Sequence, residues 1–172
     1  MISMHAMAVE SMVPMLASLS ECLDKGEAHA KTHRLDLINA RLAPDMFTLA
    51  QQVQQGCHYV NDALSRLTAS GPAQMLDAQT TFTGLKAQIA TTIAKARAVP
   101  VSALKGAEDR DCSIEMPGNM VIALTGLTML RAWTLPHFYF HVVTAYDILR
   151  HNGVQIGKRD YLSQIGPLVR PK

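Results

Sequence analysis

Apolar residues recur along this chain at intervals of three and four, the period of a helix buried along one face. The first stripe is Met4, Ala8, Met12, Met15, Leu19, Cys22 and Leu23. It predicts a helix from about Ile2 to about Leu23, and the polar stretch Lys25 to Arg34 reads as a short or frayed continuation. A second stripe, Phe47, Ala50, Val53, Cys57, Val60, Leu64 and Leu67, follows Leu42-Ala43-Pro44-Asp45. Proline suits the first helical position and Asp45 the first turn, so the helix is expected to start there and to end at Ser70-Gly71-Pro72. A third helix is expected from Thr80 or Thr81 to Pro100, with Phe82, Leu85, Ile89, Ile93 and Ala96 inward and Lys86, Gln88, Lys95 and Arg97 outward. The fourth spans about Thr125 to His151. Leu127, Leu130, Thr134, His137, His141, Ala145 and Ile148 form one of its stripes, and Met129, Trp133, Phe140 and Val143 populate another. A helix apolar nearly all round belongs at the centre of a core. Pro136 removes one internal hydrogen bond and should kink it.

The period changes to two only between Cys112 and Leu124. Cys112, Ile114 and Met116 alternate with polar neighbours, and Met120, Ile122 and Leu124 follow Pro117-Gly118-Asn119. This predicts a hairpin with a turn of two or three residues that leans on the helices. The segment Gln155 to Lys172 reads as coil packed outside. The expected fold is therefore all-α: an antiparallel four-helix bundle, one domain over residues 1–172, with a small hairpin before the last long helix.

Composition narrows the function classes. Hydrophobic residues make up 48% of 172 and charged residues 17%, with a net charge of +2. That balance fits a packed core and supplies no basic field for nucleic acid. The longest apolar stretch, Leu127 to Leu149, contains Arg131, Pro136, His137, His141 and Asp147. It reads as a core helix, so no membrane span is expected. The first fifteen residues lack a basic segment followed by an apolar run, so no secretory signal is expected. Cys22, Cys57 and Cys112 are odd in number and scattered, which suits reduced thiols and a cytoplasmic protein. The apolar surplus over what four helices can bury suggests a homodimer.

Candidate chemistry centres on histidine. His137 and His141, at i and i+4, share a helix face with Cβ atoms about 6 Å apart. His58 on the second helix lies one residue off its buried stripe, at the seam between helices. Three imidazoles converging on one divalent ion would leave positions open for water or substrate. The competing reading makes each histidine structural: His137 bonding a carbonyl freed near Pro136, His141 satisfied inside the core, His58 half exposed. A second H-x-x-x-H, His29 and His33, lies among charged residues and reads as a surface helix end. His5 and His151 read as surface residues. No phosphate loop, nucleophile elbow or paired apolar carboxylates occur.

Three stretches carry a likeness to known proteins: Asn39-Ala-Arg-Leu-Ala-Pro-Asp-Met-Phe47, Gly106-Ala-Glu-Asp-Arg110, and Phe138 through Tyr146, Ile148 through Val154 and Gly157 through Tyr161. Together they resemble a bacterial family of unknown function within the DinB/YfiT-like superfamily. The resemblance covers nearly the whole chain. It implies a four-helix bundle, often dimeric, and a three-histidine metal site in which His58, His137 and His141 fit the pattern residue by residue. The implied cofactor is one divalent ion, zinc or nickel. Better-studied branches include thiol-dependent transferases and isomerases acting with bacillithiol or mycothiol. Two functions are expected to compete. One is a divalent-metal-dependent transferase or hydrolase acting on a small molecule or thiol. The other is a non-catalytic dimeric binding or scaffold protein.

Overall fold

A computed structural model describes residues 3–170. The expected helix start at Ile2 lies outside them. The protein is mostly helical, with one small two-stranded antiparallel sheet. Helix α1, Ser11–His33, follows directly on a π turn, Ala6–Glu10. Helix α2 is Leu49–Leu67 and α3 is Phe82–Ala98. The fourth long segment is continuous from α4, Gly126–Met129, through a second π turn, Leu130–Thr134, to α5, Leu135–His151. These segments form a closed ring of contacts in the order α1, α3, α2, α5. One apolar core joins them, running from Met4 and Met12 through Leu49, Leu85 and Phe138 to Ile156.

The ends of the helices depart from expectation for identifiable reasons. Helix α1 does not fray at Lys25 but continues to His33, where Arg34 takes the left-handed conformation (φ 54°) and donates its N–H to the Ala30 carbonyl. The polar stretch holds because its charges are used. Lys86 on α3 reaches Asp24 at 2.6 Å and Glu27 at 2.9 Å, and Lys25 reaches Asp160 at 2.5 Å. Helix α2 starts at Leu49, not at Pro44. Thr48 accepts from the Gln51 N–H at 3.3 Å, and the Gln51 side chain accepts from the Thr48 N–H at 2.9 Å. This reciprocal cap satisfies two free donors and outweighs proline's preference upstream. Pro44 and Asp45 lie in a preceding turn, where Arg41 donates to the Pro44 and Met46 carbonyls at 3.4 and 3.1 Å. Phe47 is consequently outside the helix and exposed.

Pro136 produces a wide turn. Leu135 donates its N–H to the Leu130 carbonyl, five residues back. Pro14 in α1 likewise follows a π turn. The hairpin forms as expected, β1 (Ile114–Met116) against β2 (Met120–Ile122), with Ile114 opposite Ile122 and a three-residue turn. Its base is clamped where Gly126 meets the 3-10 turn Ala107–Asp109. A Cβ on Gly126 would stand 2.0 Å from the Ala107 carbonyl oxygen, so only glycine lets the two backbones approach. The segment after Val154 is not simple coil. It forms α6, Lys158–Tyr161, and a 3-10 turn, Ser163–Leu168, held to α1 by a 2.8 Å hydrogen bond between the Ser18 and Ser163 hydroxyls.

By length and composition, Ala6–His33 is one helix able to cross a membrane, yet more than half of its most apolar stretch is packed inside the protein. Burial of Met12, Leu16, Leu19 and Leu23 accounts for its hydropathy as a core face. In the fourth segment the second stripe is only partly covered, since Phe140 and Val143 are exposed.

Candidate functional site

Helix α2 packs against α5 along a stripe one residue removed from its main buried face: Gln52, Gly56, Tyr59 and Ala63, at the spacing i, i+4, i+7, i+11. Two of these positions carry small residues, so the helices come close. Of the other two, Gln52 presents an amide to His141 and Tyr59 lays its ring on both His137 and His141.

Both histidines are fixed in orientation and tautomer. His137 Nδ1 donates to the Trp133 carbonyl at 2.8 Å, beside the π turn. His141 Nδ1 lies 2.7 Å from Gln52 Oε1. The Gln52 amide is turned that way because its Nε2 donates to the Phe47 carbonyl at 3.4 Å. A carbonyl or amide oxygen can only accept, so each Nδ1 carries a proton and the nitrogen left without a protein partner is Nε2. Burial, and secondarily His137, pushes the His141 pKa down from 6.5 to about 4, so the ring is neutral at pH 7.

Aromatic rings wall the pair. Tyr59 lies nearly parallel to His137 at 4.8 Å and to His141 at 5.6 Å between centroids. Trp133 stands 4.4 Å from His137, and Phe140 meets His141 edge-on at 5.4 Å. Burial, with Asp62 adding to it, raises the Tyr59 pKa, so its hydroxyl stays protonated. His58 is half-buried with its ring edge-on to Tyr59 at 5.9 Å, and its Nδ1 is buried without a hydrogen-bond partner.

Of the expected trio, His137 and His141 on α5 share a seam with Tyr59 of α2, while His58 on α2 meets that seam only edge-on to its neighbour Tyr59. The donor chemistry suits a divalent ion: three imidazoles, two with Nδ1 anchored, and a third with a nitrogen lacking any partner. Their positions do not. Among the described residues, no group of three or more His, Cys, Asp or Glu side chains is disposed around a common point. The Tyr59 ring lies against both anchored imidazoles.

His29 and His33, expected at a surface helix end, stack at 4.1 Å, and His29 Nε2 lies 3.1 Å from the Asn152 carbonyl, pinning the ends of α1 and α5 together. Gln52 and Tyr59 were not expected in the site. Their signal was a polar and an aromatic residue in phase with Gly56 and Ala63, which marks a close helix contact rather than a solvated face.

A family profile for a domain of unknown function, DUF1993, matches residues 4–162. The chain belongs to the DUF1993 family. The fold of this DUF1993 protein is similar to the crystal structure of a DinB family member protein from Shewanella denitrificans. The two share 35% identity and superpose with a TM-score of 0.81, over 92% of this chain and 90% of that one. No functionally curated protein matches the chain. DUF1993 is thereby tied to a DinB-like architecture, and its function is not assigned by either likeness.

Proposed function

We propose that this DUF1993 protein is a divalent-metal-dependent transferase or hydrolase acting on a small molecule or a thiol. In this reading it is a cytoplasmic homodimer of antiparallel four-helix bundles, one domain per chain, and His58, His137 and His141 are the metal ligands. The observation that carries the reading is the fixed tautomer of His137 and His141. An oxygen acceptor on Nδ1 with Nε2 left free is how ligating histidines are held. A bound zinc or nickel ion would lower the pKa of a water or thiol or polarise a carbonyl. Gln52 and the Trp133 carbonyl orient the two imidazoles. Burial keeps His141 neutral, which a ligand must be. Tyr59 and Trp133, packed on the imidazoles, limit access of water to the seam. Ligation by three imidazoles requires the His58 ring to turn toward the pair.

A second reading, a non-catalytic binding protein, is favoured by one specific observation: the Tyr59 ring rests on both imidazoles, and the three donors are not gathered. Metal analysis of untagged protein, followed by titration with zinc and nickel, separates the two. The metal reading expects one ion per chain, lost in His141→Ala and retained in His33→Ala. Equal metal content in wild type and His141→Ala would overturn it and leave the binding reading.

A further inference from the structure

Away from the histidine seam, a cavity of about 690 Å³ opens where the start of the first helix meets the 3-10 turns Val101–Leu104 and Ala107–Asp109 and the head of the fourth segment. That volume lies within the range of small-molecule sites, roughly 300–1,000 Å³. Its wall is apolar and unbranched or aliphatic: Met4, Met7, Leu104 and Leu127, with Val101 exposed at the rim. No Phe, Tyr or Trp lines it, so nothing there stacks on a nucleobase or sugar ring.

Charge decides what kind of apolar molecule fits. Lys105 and Arg131 both line the cavity, and among the described residues neither takes part in an ion pair. Glu108 is the one acidic residue in the lining. Two cations against one anion leave a formal balance of one positive charge, which suits a monoanion better than a phosphate dianion. His5 also lines the cavity. Its Nδ1 is buried without a hydrogen-bond partner, although Glu10 Oε1 lies 3.5 Å away.

Both π turns reach this one place. Met7 belongs to Ala6–Glu10 and Arg131 to Leu130–Thr134. A π turn is rare and recurs frequently at functional sites. Two helices carrying one each, both turned to the same cavity, widen there and shape its wall.

We propose that this cavity binds an amphipathic monocarboxylate of the fatty-acid class. The alkyl chain lies along Met4, Met7, Leu104 and Leu127, and the carboxylate meets Arg131 and Lys105. Methionine suits such a chain, since its flexible thioether adapts to a ligand of variable shape. A guanidinium suits the head, since it can hold both carboxylate oxygens.

The test is binding of dansylaminoundecanoic acid to the full chain, followed by fluorescence and by displacement with decanoate. The expected result is saturable binding of one probe per chain, displaced by decanoate and not by methyl decanoate. The double substitution Arg131→Gln, Lys105→Gln should weaken the probe by roughly tenfold or more, the scale of one charge-assisted contact. Both side chains are exposed, so the fold is expected to survive, and circular dichroism checks it. A charge-matched control, Lys95→Gln with Arg97→Gln on α3, should bind as wild type. Absence of saturable binding, equal displacement by the ester, or equal weakening in the control would each overturn the proposal.

Discussion

At His141 a neutral imidazole is held by Gln52 inside a nearly closed seam, and its pKa of about 4 has a consequence for stability. The unfolded chain takes up a proton on this residue below about pH 6.5, whereas the folded chain resists it until about pH 4. Between those values the unfolded state binds more protons, so stability falls as pH falls, and below the lower value this residue adds no further loss. The expected size is about 2–3 kcal/mol. Urea unfolding of metal-free protein between pH 7 and 4 should show a smaller decline in His141→Gln than in wild type. Gly126 makes a sharper case. A methyl there must displace the Ala107 backbone carbonyl, and backbone gives less readily than a side chain. Gly126→Ala should cost about 2 kcal/mol or more despite its better helix propensity, read from the shift in denaturation midpoint. At this scale the histidines were legible because i, i+4 spacing fixes a shared face whatever else the chain does. Gln52 was not, since a glutamine beside Val53 reads equally well as solvated, and only the approach of α5 makes it a buried partner.

Between elements, one ion pair reaches from α2 to both the loop after it and the hairpin. Asp62 and Arg66 meet at 2.8 Å with both side chains largely buried. Asp62 also accepts from the Ala73 N–H at 2.9 Å, and Arg66 donates to the Ser113 carbonyl at 2.9 Å. Asp62→Ala would strand a buried guanidinium and free the loop, at a cost of about 2–3 kcal/mol. The hairpin amides should then exchange faster with solvent deuterium than those of α1, and equal protection would argue that the pair holds nothing. Helix centres were readable from the stripes, because burial on one face leaves a period in the sequence. Helix ends were not. The start of α2 was assigned to Pro44 by its favourable φ, while the Thr48–Gln51 cap four residues on controls the boundary. The length of α1 depended on ion pairs to α3 and α6 that no local pattern records.

For the molecule as a whole, the exposed apolar side chains are dispersed, but three of them fall together beside the histidine seam. Phe140 is 55% exposed, Phe47 46% and Val143 38%. Phe140 and Val143 are one helical turn apart on α5, and Phe140 and Phe47 both lie against His141. An apolar patch of this kind on a helix face suits a symmetric contact between two copies. Light scattering should give a dimer mass for wild type and a monomer mass for Phe140→Asp. A monomer at all concentrations for the wild type would place the patch in another role. Four long helical segments and a hairpin could be anticipated from periodicity; the order of the segments round the ring could not. The gathering of Met7 and Arg131 around one cavity could not, because it depends on where each helix widens.

The widened turns have one more consequence. A π turn can in principle travel along a helix: each N–H in succession exchanges one carbonyl for the next, and the loose turn moves by one residue without unfolding anything. In the fourth segment that travel has a stop. The Leu135 N–H already reaches back five residues, and the next donor in line would be Pro136, which has no N–H to exchange. The slack is therefore held on the Arg131 side of the proline and does not travel into the turns that carry His137 and His141. One odd residue sets the rotation between the two ends of the helix, about 100° for each residue inserted, and an imino acid keeps that setting from slipping.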